Sequence, residues 1–216
     1  MNAREPLILV GGGGHCRSVL DVIAADGGYE VVGIVERRRG NQAGPEGIAI
    51  IGADEDLAVL SEGYRNFLVT IGQVGHSGRR KELFEYLAQL GVRLPTIVSP
   101  FARVAVSVRL GAGTVVMHDA RVNAGARIGD NCIVNTCALI EHDTVIGDHC
   151  HVATGAIVNG QCSVGSNVFI GSGAILCHGV QIADGTIIGA GAVVIETIEE
   201  VGTYVGSPAR RIVAGG

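Results

Sequence analysis

The sequence predicts a small α/β unit with a parallel sheet over residues 1–98, followed by an all-β solenoid, a parallel β-helix, over residues 99–216. Three observations predict this order. Strand-like and helix-like segments alternate in the first hundred residues, and aliphatic residues then recur every six positions from Val104 to Val194. The composition combines 34 glycines with 4% aromatic residues and no tryptophan, which requires a core of thin aliphatic layers with glycines at tight corners.

The alternation in the first unit is typical of strands that pair in parallel and are connected by helices. Residues 7–10 predict a buried first strand, residues 11–14 a tight glycine loop, and residues 16–25 a helix with its apolar residues on one side. The remaining predicted elements are strands at 29–35, 48–51 and 67–71 and helices at 55–60 and 79–90. This unit is therefore expected to be Rossmann-like.

The glycine loop between the first strand and its helix allows backbone N–H groups to approach a phosphate at the helix N-terminus. The full dinucleotide fingerprint is absent, because its third glycine position holds Cys16 or Arg17. A sugar joined to a nucleotide diphosphate therefore fits better than a redox cofactor. Glu36, at the end of the second strand, is positioned to accept a hydrogen bond from ribose or base. The candidate substrate-binding residues are Gly12, Gly13, Gly14, His15, Glu36 and Arg37, where Arg37 begins a run of three arginines that either assists a phosphate or is solvated.

The six-residue period predicts the second unit. Sixteen consecutive positions of the repeat are aliphatic, and the position four residues after each is small or β-branched; Cys132, Cys150 and Cys162 occupy three of these small positions. A unit with one large and one small inward residue suits a triangular solenoid of three short strands per coil, about 25 Å tall for this number of repeats. The three cysteines are interpreted as packing residues.

Charge and hydropathy exclude several classes of function. The net charge of −5 and the pI near 5.8 provide no basic surface for nucleic acid. No apolar run is long enough to span a bilayer, so we expect a cytoplasmic protein without a membrane partner. The six cysteines show no spacing typical of zinc sites or disulfide frameworks, and no metal is expected.

Four motifs carry a family resemblance. They read Gly-Gly-Gly-Gly-His at 11–15, Ile-Val-Asn-Thr-Cys-Ala-Leu-Ile-Glu-His-Asp at 133–143, His-Val-Ala-Thr-Gly-Ala at 151–156 and Val-Gly-Ser-Pro-Ala-Arg at 205–210. In order and spacing they resemble the sialic acid O-acetyltransferases and nucleotide-amino-sugar N-acetyltransferases, which include the bacillosamine-pathway acetyltransferase and the perosamine N-acetyltransferases. The resemblance implies a left-handed β-helix, a homotrimer with active sites between subunits, and acetyl-CoA as co-substrate.

The resemblance also implies catalytic roles. His142 is similar to the general base that takes a proton from the acceptor, Asp143 to the acidic residue that orients this base, and Asn135 to a positioning residue near the acceptor. An imidazole suits proton transfer at neutral pH. His151 resembles the histidine that meets the thioester end of the cofactor, and the Gly160 N–H resembles the donor that stabilises the oxyanion.

Further cofactor contacts are implied at backbone positions around Ser172 and Ala190, and in the C-terminal segment, where Arg210 or Arg211 meets the phosphates of CoA. His15 matches the family's nucleotide-loop histidine. The other histidines of the repeat, His118, His149 and His178, are interpreted as surface residues. His178 follows His142 by two coils, which separates the two by roughly 10 Å, too far to share a proton or a metal.

The expected activity is transfer of an acetyl group from acetyl-CoA to a nucleotide-linked amino sugar, such as a UDP-4-amino-4,6-dideoxy sugar, in bacterial glycan biosynthesis. O-acetylation of sialic acid or another sugar is the alternative within the family. A γ-type carbonic anhydrase, which needs three histidines on zinc, is disfavoured because alanine stands at position 183, near where a third ligand is expected. A non-catalytic solenoid that binds sugar nucleotides is the remaining alternative.

Overall fold

The computed structural model describes residues 4–37, 43–75 and 78–212. The chain divides into two compact units. The first contains the described residues up to Gly72 together with Gly78–Ile97, and the second contains those from Val98 onward. Residues 73–75 belong to the second unit, although the first unit surrounds them in sequence.

The described part of the first unit is a four-stranded parallel sheet with three helices. Its strands lie in the order β3-β2-β1-β4. The second and third strands are added on one side of β1 and β4 on the other, so the strand order reverses between β1 and β4. The elements are β1 (Glu5–Val10), α1 (Gly14–Asp26), β2 (Tyr29–Glu36), β3 (Ile50–Ala53), α2 (Leu57–Gly63), β4 (Asn66–Val69) and α3 (Gly78–Gln89), with short 3-10 turns at Pro45–Gly47 and Asp54–Asp56. In sheets of this kind ligands bind beyond the carboxyl ends of the strands, where the strand order reverses.

Every element predicted in this unit is present, with shifted ends. The third strand begins at Ile50 instead of residue 48, because the turn at Pro45–Gly47 still shapes the chain there. The fourth strand ends at Val69, and Thr70 and Ile71 leave the sheet to line a cleft.

The second unit is a parallel β-helix of two-residue strands, each ending on the aliphatic position of its repeat, as predicted. Strands pair with those eighteen residues away, which produces three flat faces. The first face holds Arg109–Leu110, Arg127–Ile128, Val145–Ile146, Ser163–Val164 and Gln181–Ile182. The second holds Ile97–Val98, Val115–Val116, Ile133–Val134, His151–Val152, Phe169–Ile170 and Ile187–Ile188, and ends in the antiparallel hairpin of Thr203–Val205 and Arg210–Ile212. The third holds Arg103–Val104, Arg121–Val122, Leu139–Ile140, Ile157–Val158, Ile175–Leu176 and Val193–Val194.

The small inward positions do more than fill space. Cys150 is fully buried and its thiol donates to the Gly165 carbonyl at 3.0 Å, while Thr144 uses its hydroxyl in the same way on the Asn159 carbonyl at 3.0 Å. Cysteine and threonine therefore alternate with alanine at these positions because each can satisfy a backbone carbonyl at the corner without adding bulk. The packing role predicted for the cysteines is confirmed by their burial.

One corner of the β-helix is closed by a ladder of side chains. The backbone N–H of Asp130 donates to the side chain of Asp148, that of Asp148 to Ser166, and that of Ser166 to Asp184. Each turn is capped in this way by the residue one coil further on.

His149 corrects one expectation. It is 8% exposed, not a surface residue, and its Nδ1 lies 3.0 Å from the side-chain amide nitrogen of Asn131. Both residues have positive φ, 60° and 51°, and they stack one coil apart at a corner, which covers the ring.

Among the described residues, no helix is long and apolar enough to cross a membrane.

Candidate functional site

A cleft of about 310 Å³ lies at the carboxyl ends of β1, β2 and β4 in the first unit. This is the edge at which the strand order reverses. The predicted substrate residues all line it: Gly12, Gly13, Gly14, His15, Glu36 and Arg37. Asp54, Thr70, Gly72 and Arg79 complete much of its wall.

The glycine loop places the N-terminus of α1 in this cleft. Gly13 is the N-cap residue and has no side chain to cap the helix, so the first backbone N–H groups of α1 are left for a ligand. Gly12 is held from the side, because its N–H donates to Glu36 Oε1 at 2.7 Å. A Cβ at Gly12 would lie 2.5 Å from that oxygen, so any larger residue would displace the Glu36 carboxylate or the loop.

His15 occupies the inner wall of the cleft. Burial, and then the positive charge of Arg80, lower the pKa of His15 from 6.5 to about 4. The imidazole is therefore uncharged at neutral pH and interacts with a ligand as a neutral hydrogen-bonding group. Positive charge at the cleft comes from Arg37 and from Arg79, and Arg79 forms an ion pair with Asp54. Arg38 and Arg39, the rest of the arginine run, lie outside the described residues.

His142 and Asp143 form a pair on the second unit. The imidazole Nδ1 lies 2.9 Å from Asp143 Oδ2, and since a carboxylate only accepts, Nδ1 carries the proton and donates. Nε2 is then the unprotonated nitrogen of the neutral ring. Both side chains are accessible, at 52% and 62% exposure, so the pair can meet a ligand.

Gly160 lies one coil beyond His142 and directly under its ring. A Cβ at Gly160 would be 2.7 Å from His142 Nε2, closer than real contacts allow, so the absence of a side chain makes the space for the imidazole. Within the described part of the chain, the Gly160 N–H has no hydrogen-bond acceptor. The equivalent N–H groups of Asp130, Asp148 and Ser166 are capped by side chains. The structure thus leaves one backbone donor open beside the His142 ring.

His178 lies one coil beyond Gly160, and its position differs from the sequence expectation. Its ring centroid is 6.3 Å from that of His142, not roughly 10 Å, because the His142 ring leans over Gly160 toward it. From the sequence, His178 is expected to be a surface residue unrelated to His142. The signal that could have identified it is the spacing of His142, Gly160 and His178 by eighteen residues each, with the residue lacking a side chain in the middle.

Asn135 and His151 form a second pair. The side-chain amide of Asn135 donates to His151 Nε2 at 3.1 Å, while its Oδ1 accepts from the Thr136 N–H at 2.8 Å. His151 is 6% exposed, and its Nδ1 donates to the backbone carbonyl of Gln73 at 2.9 Å. Both imidazole nitrogens are thus already bonded within the second unit. Gln73, for which the sequence carries no signal of a role, fixes the tautomer of His151 and through it the orientation of the Asn135 amide.

Two backbone positions implied for the cofactor are exposed. Ser172 and Ala190 lie one coil apart at a corner of the β-helix, and their backbone N–H groups have no acceptor within the described residues. Arg211 is engaged, since it donates to the Glu200 carboxylate and to the Val201 carbonyl. Arg210 donates to the carbonyl of its neighbour Ala209, and it is the less constrained of the two arginines.

Within the described residues, no group of three or more His, Cys, Asp or Glu side chains could hold a metal ion.

Comparisons with known proteins identify the family of the chain. The family model of the PglD N-terminal domain matches residues 6–87, and that of the bacterial transferase hexapeptide matches residues 161–196. The acetyltransferase domain of PglB from Neisseria gonorrhoeae is 33% identical, with a TM-score of 0.88 over 97% of this chain and 100% of that one. PerB from Caulobacter crescentus, in complex with CoA and GDP-perosamine, is 34% identical, with a TM-score of 0.89 over 98% of this chain and 99% of that one. The chain belongs to this family of hexapeptide-repeat sugar acetyltransferases.

WeeI from Acinetobacter baumannii is 22% identical to this chain and shares its fold, with a TM-score of 0.83 over 96% of this chain and 100% of that one. A comparison with curated proteins gave no match. The two relatives above 30% identity confirm the family resemblance expected from the four motifs. In this family member the structure brings His142, Asp143 and Gly160 together, and Asn135 with His151.

Proposed function

We propose that the protein transfers the acetyl group of acetyl-CoA to the amino group of a nucleotide-linked amino sugar in glycan biosynthesis. The observation that carries the proposal is the His142–Asp143 pair over Gly160, a base and an open backbone donor side by side. The relative from Caulobacter crescentus, described as a perosamine N-acetyltransferase with GDP-perosamine bound, supports an amine acceptor on a nucleotide sugar over a free sialic acid.

His142 acts as the general base in this proposal. Its Nε2 takes a proton from the acceptor nitrogen as that nitrogen attacks the thioester carbonyl, and Asp143 stabilises the imidazolium that results. The Gly160 N–H donates to the carbonyl oxygen as it becomes an oxyanion, which an open donor beside the base is suited to do. The tetrahedral intermediate then expels the CoA thiolate, which is protonated, and leaves an amide on the sugar.

Acetyl-CoA itself is held by the second unit. The open N–H groups of Ser172 and Ala190 suit the amide carbonyls of pantetheine, and Arg210 suits a phosphate of CoA. His151 acts at the thioester end through Asn135, because its two nitrogens hold the Asn135 amide and the Gln73 carbonyl. Asn135 in turn positions the reacting groups.

The nucleotide part of the acceptor binds in the cleft of the first unit. The uncapped start of α1, reached through the glycine loop, receives the diphosphate, and Arg37 adds positive charge. Glu36 fixes the loop through Gly12 with one oxygen, and its other oxygen is left for ribose or base. His15 contacts the ligand as a neutral imidazole.

The proposal includes a homotrimer with active sites between subunits, as the family resemblance implies. Both proposed substrates are cytoplasmic metabolites, so the enzyme would act in the cytoplasm. Light scattering on the purified protein tests the trimer.

The activity is tested by thiol release from acetyl-CoA in the presence of GDP- and UDP-linked amino sugars, with free sialic acid as the competing acceptor. Mass spectrometry of the product locates the acetyl group on nitrogen or oxygen. Acetylation of sialic acid but of no amino-sugar nucleotide would overturn the proposal. So would the failure of all of these acceptors to cause thiol release.

A further inference from the structure

His178 is an accessible imidazole beside the proposed base. Its ring centroid lies 6.3 Å from that of His142, with the planes tilted by 49°, and the side chain is exposed. In the described part of the chain no residue forms a hydrogen bond or an ion pair with His178. His142, in contrast, is fixed by Asp143. One imidazole is therefore oriented and the other is open, with only the bare backbone of Gly160 between them.

The chemistry of an amine acceptor requires two protons to leave one nitrogen. An aliphatic amine is mostly an ammonium at neutral pH, and an ammonium has no lone pair with which to attack. The balanced reaction is R–NH₃⁺ plus acetyl-S-CoA giving R–NH–acetyl, HS-CoA and one H⁺. One proton must leave before the C–N bond forms and a second as it forms. The single free nitrogen of His142 can hold only one of them at a time.

We propose that His178 accepts the proton whose loss turns the acceptor ammonium into the free amine, and that His142 accepts the proton lost as the C–N bond forms. This inference rests on the proposed function. The proton on His178 passes to solvent, to which the ring is open, while the proton on His142 becomes available to the departing CoA thiolate. No further reactant is needed.

The spacing of the two rings suits one shared ammonium. Two N–H groups of a tetrahedral nitrogen, each in a hydrogen bond of about 2.9 Å, place their acceptor atoms about 4.7 Å apart. Since each imidazole nitrogen lies off its ring centroid, rings with centroids 6.3 Å apart can present two nitrogens at that separation. Gly160 leaves the space between them empty of side chain.

The charges around the two rings favour a cationic acceptor. Glu141 and Asp143 flank His142, Cys177 precedes His178, and Glu196 is exposed on the following turn. On the intervening coil, Asn159 and Gln161 are uncharged. The site therefore combines carboxylates with two imidazoles, a set that attracts an ammonium and contains two groups able to accept its protons.

The test measures the pH dependence of kcat/KM for an amino-sugar nucleotide in the unaltered protein and in His178→Ala. We expect a loss of about 10-fold or more near pH 7 that shrinks as pH rises, because the free amine then forms without help. Added imidazole should restore the variant near pH 7. Gln181→Ala removes an exposed side chain from the same coil and should leave the profile unchanged, and thermal melting reports whether each variant is folded.

An unchanged kcat/KM and pH profile in His178→Ala would overturn the inference. So would a loss of equal size at every pH without recovery in imidazole, since that result indicates a structural role. Failure of the unaltered protein to acetylate any amino-sugar nucleotide is a different result, which overturns the proposed function itself and this inference with it.

Discussion

The Nδ1 of His142 donates to the carboxylate of Asp143 at 2.9 Å, and this one hydrogen bond decides which nitrogen of the ring is free to react. The two residues are adjacent in sequence, so the corner itself brings them together. Asp143 has a φ of 58°, a left-handed conformation that Asp adopts more easily than most residues. The tautomer of the proposed base is thus set by local backbone geometry.

Replacing His142 by Gln is expected to lower kcat by about 10² to 10⁴ while leaving KM for both substrates nearly unchanged, because the lost step is proton transfer. Asp143→Asn should cost less, since the imidazole remains but loses its orienting charge. Steady-state kinetics on both variants measure this order. Equal kcat in His142→Gln and the unaltered protein would contradict the assignment of the base.

Gly160→Ala tests the space under the base. The added Cβ would lie 2.7 Å from Nε2 and 2.9 Å from Cε1 of His142, so the ring must move, while the backbone at Gly160 accepts alanine without a positive φ. We expect kcat to fall by about 10-fold or more, since small displacements of a reacting group are costly, with an unchanged melting temperature.

The matched control for that variant is Gly63→Ala, where an added Cβ meets no atom within 4 Å. It should have the kcat of the unaltered protein. If Gly160→Ala also keeps full activity, the His142 ring is free to react from another position, and the open Gly160 donor loses its support as the oxyanion site.

The repeat made most of the second unit predictable, because one aliphatic residue every six positions has few other physical solutions. His142 was predictable from its motif. The partner of His151 was not, since the Gln73 carbonyl lies 78 residues away and carries no side-chain signature. The approach of His142 to His178 depends on which way one ring leans, and a backbone period contains no information on that.

Burial at the corners was equally difficult to predict. His149 has the same polar surroundings in sequence as an exposed turn residue, yet it is covered because Asn131 stacks one coil before it. In the first unit the order of strands and helices followed from hydrophobic periodicity. The ends of the strands did not, because the turn at Pro45–Gly47 and the cleft-lining residues after Val69 shift them.

Gly12→Ala is expected to weaken binding of the nucleotide sugar. Its Cβ would lie 2.5 Å from Glu36 Oε1 and 3.3 Å from Ile34 Cγ2, which displaces the carboxylate or the loop. We expect KM for the nucleotide sugar to rise by about 10-fold, the equivalent of 1.4 kcal/mol. KM for acetyl-CoA should stay unchanged, because the proposed cofactor residues belong to the second unit. A parallel rise in both constants would contradict the separation of the two binding functions.

The neutral His15 predicts a pH dependence of stability. Its pKa is about 4 in the folded protein and near 6.5 when unfolded, so the unfolded chain binds more protons between these values. The stability that depends on a neutral His15 is therefore fully present above pH 6.5 and is lost as pH falls toward 4. Thermal melting without ligand should show that the midpoint of His15→Gln falls less over this range than that of the unaltered protein. We expect a difference of at least about 1 kcal/mol, or about 2–4 °C. Parallel curves for the two proteins would mean that His15 is protonated without cost in the fold, and that its contact with the nucleotide need not be made by a neutral ring.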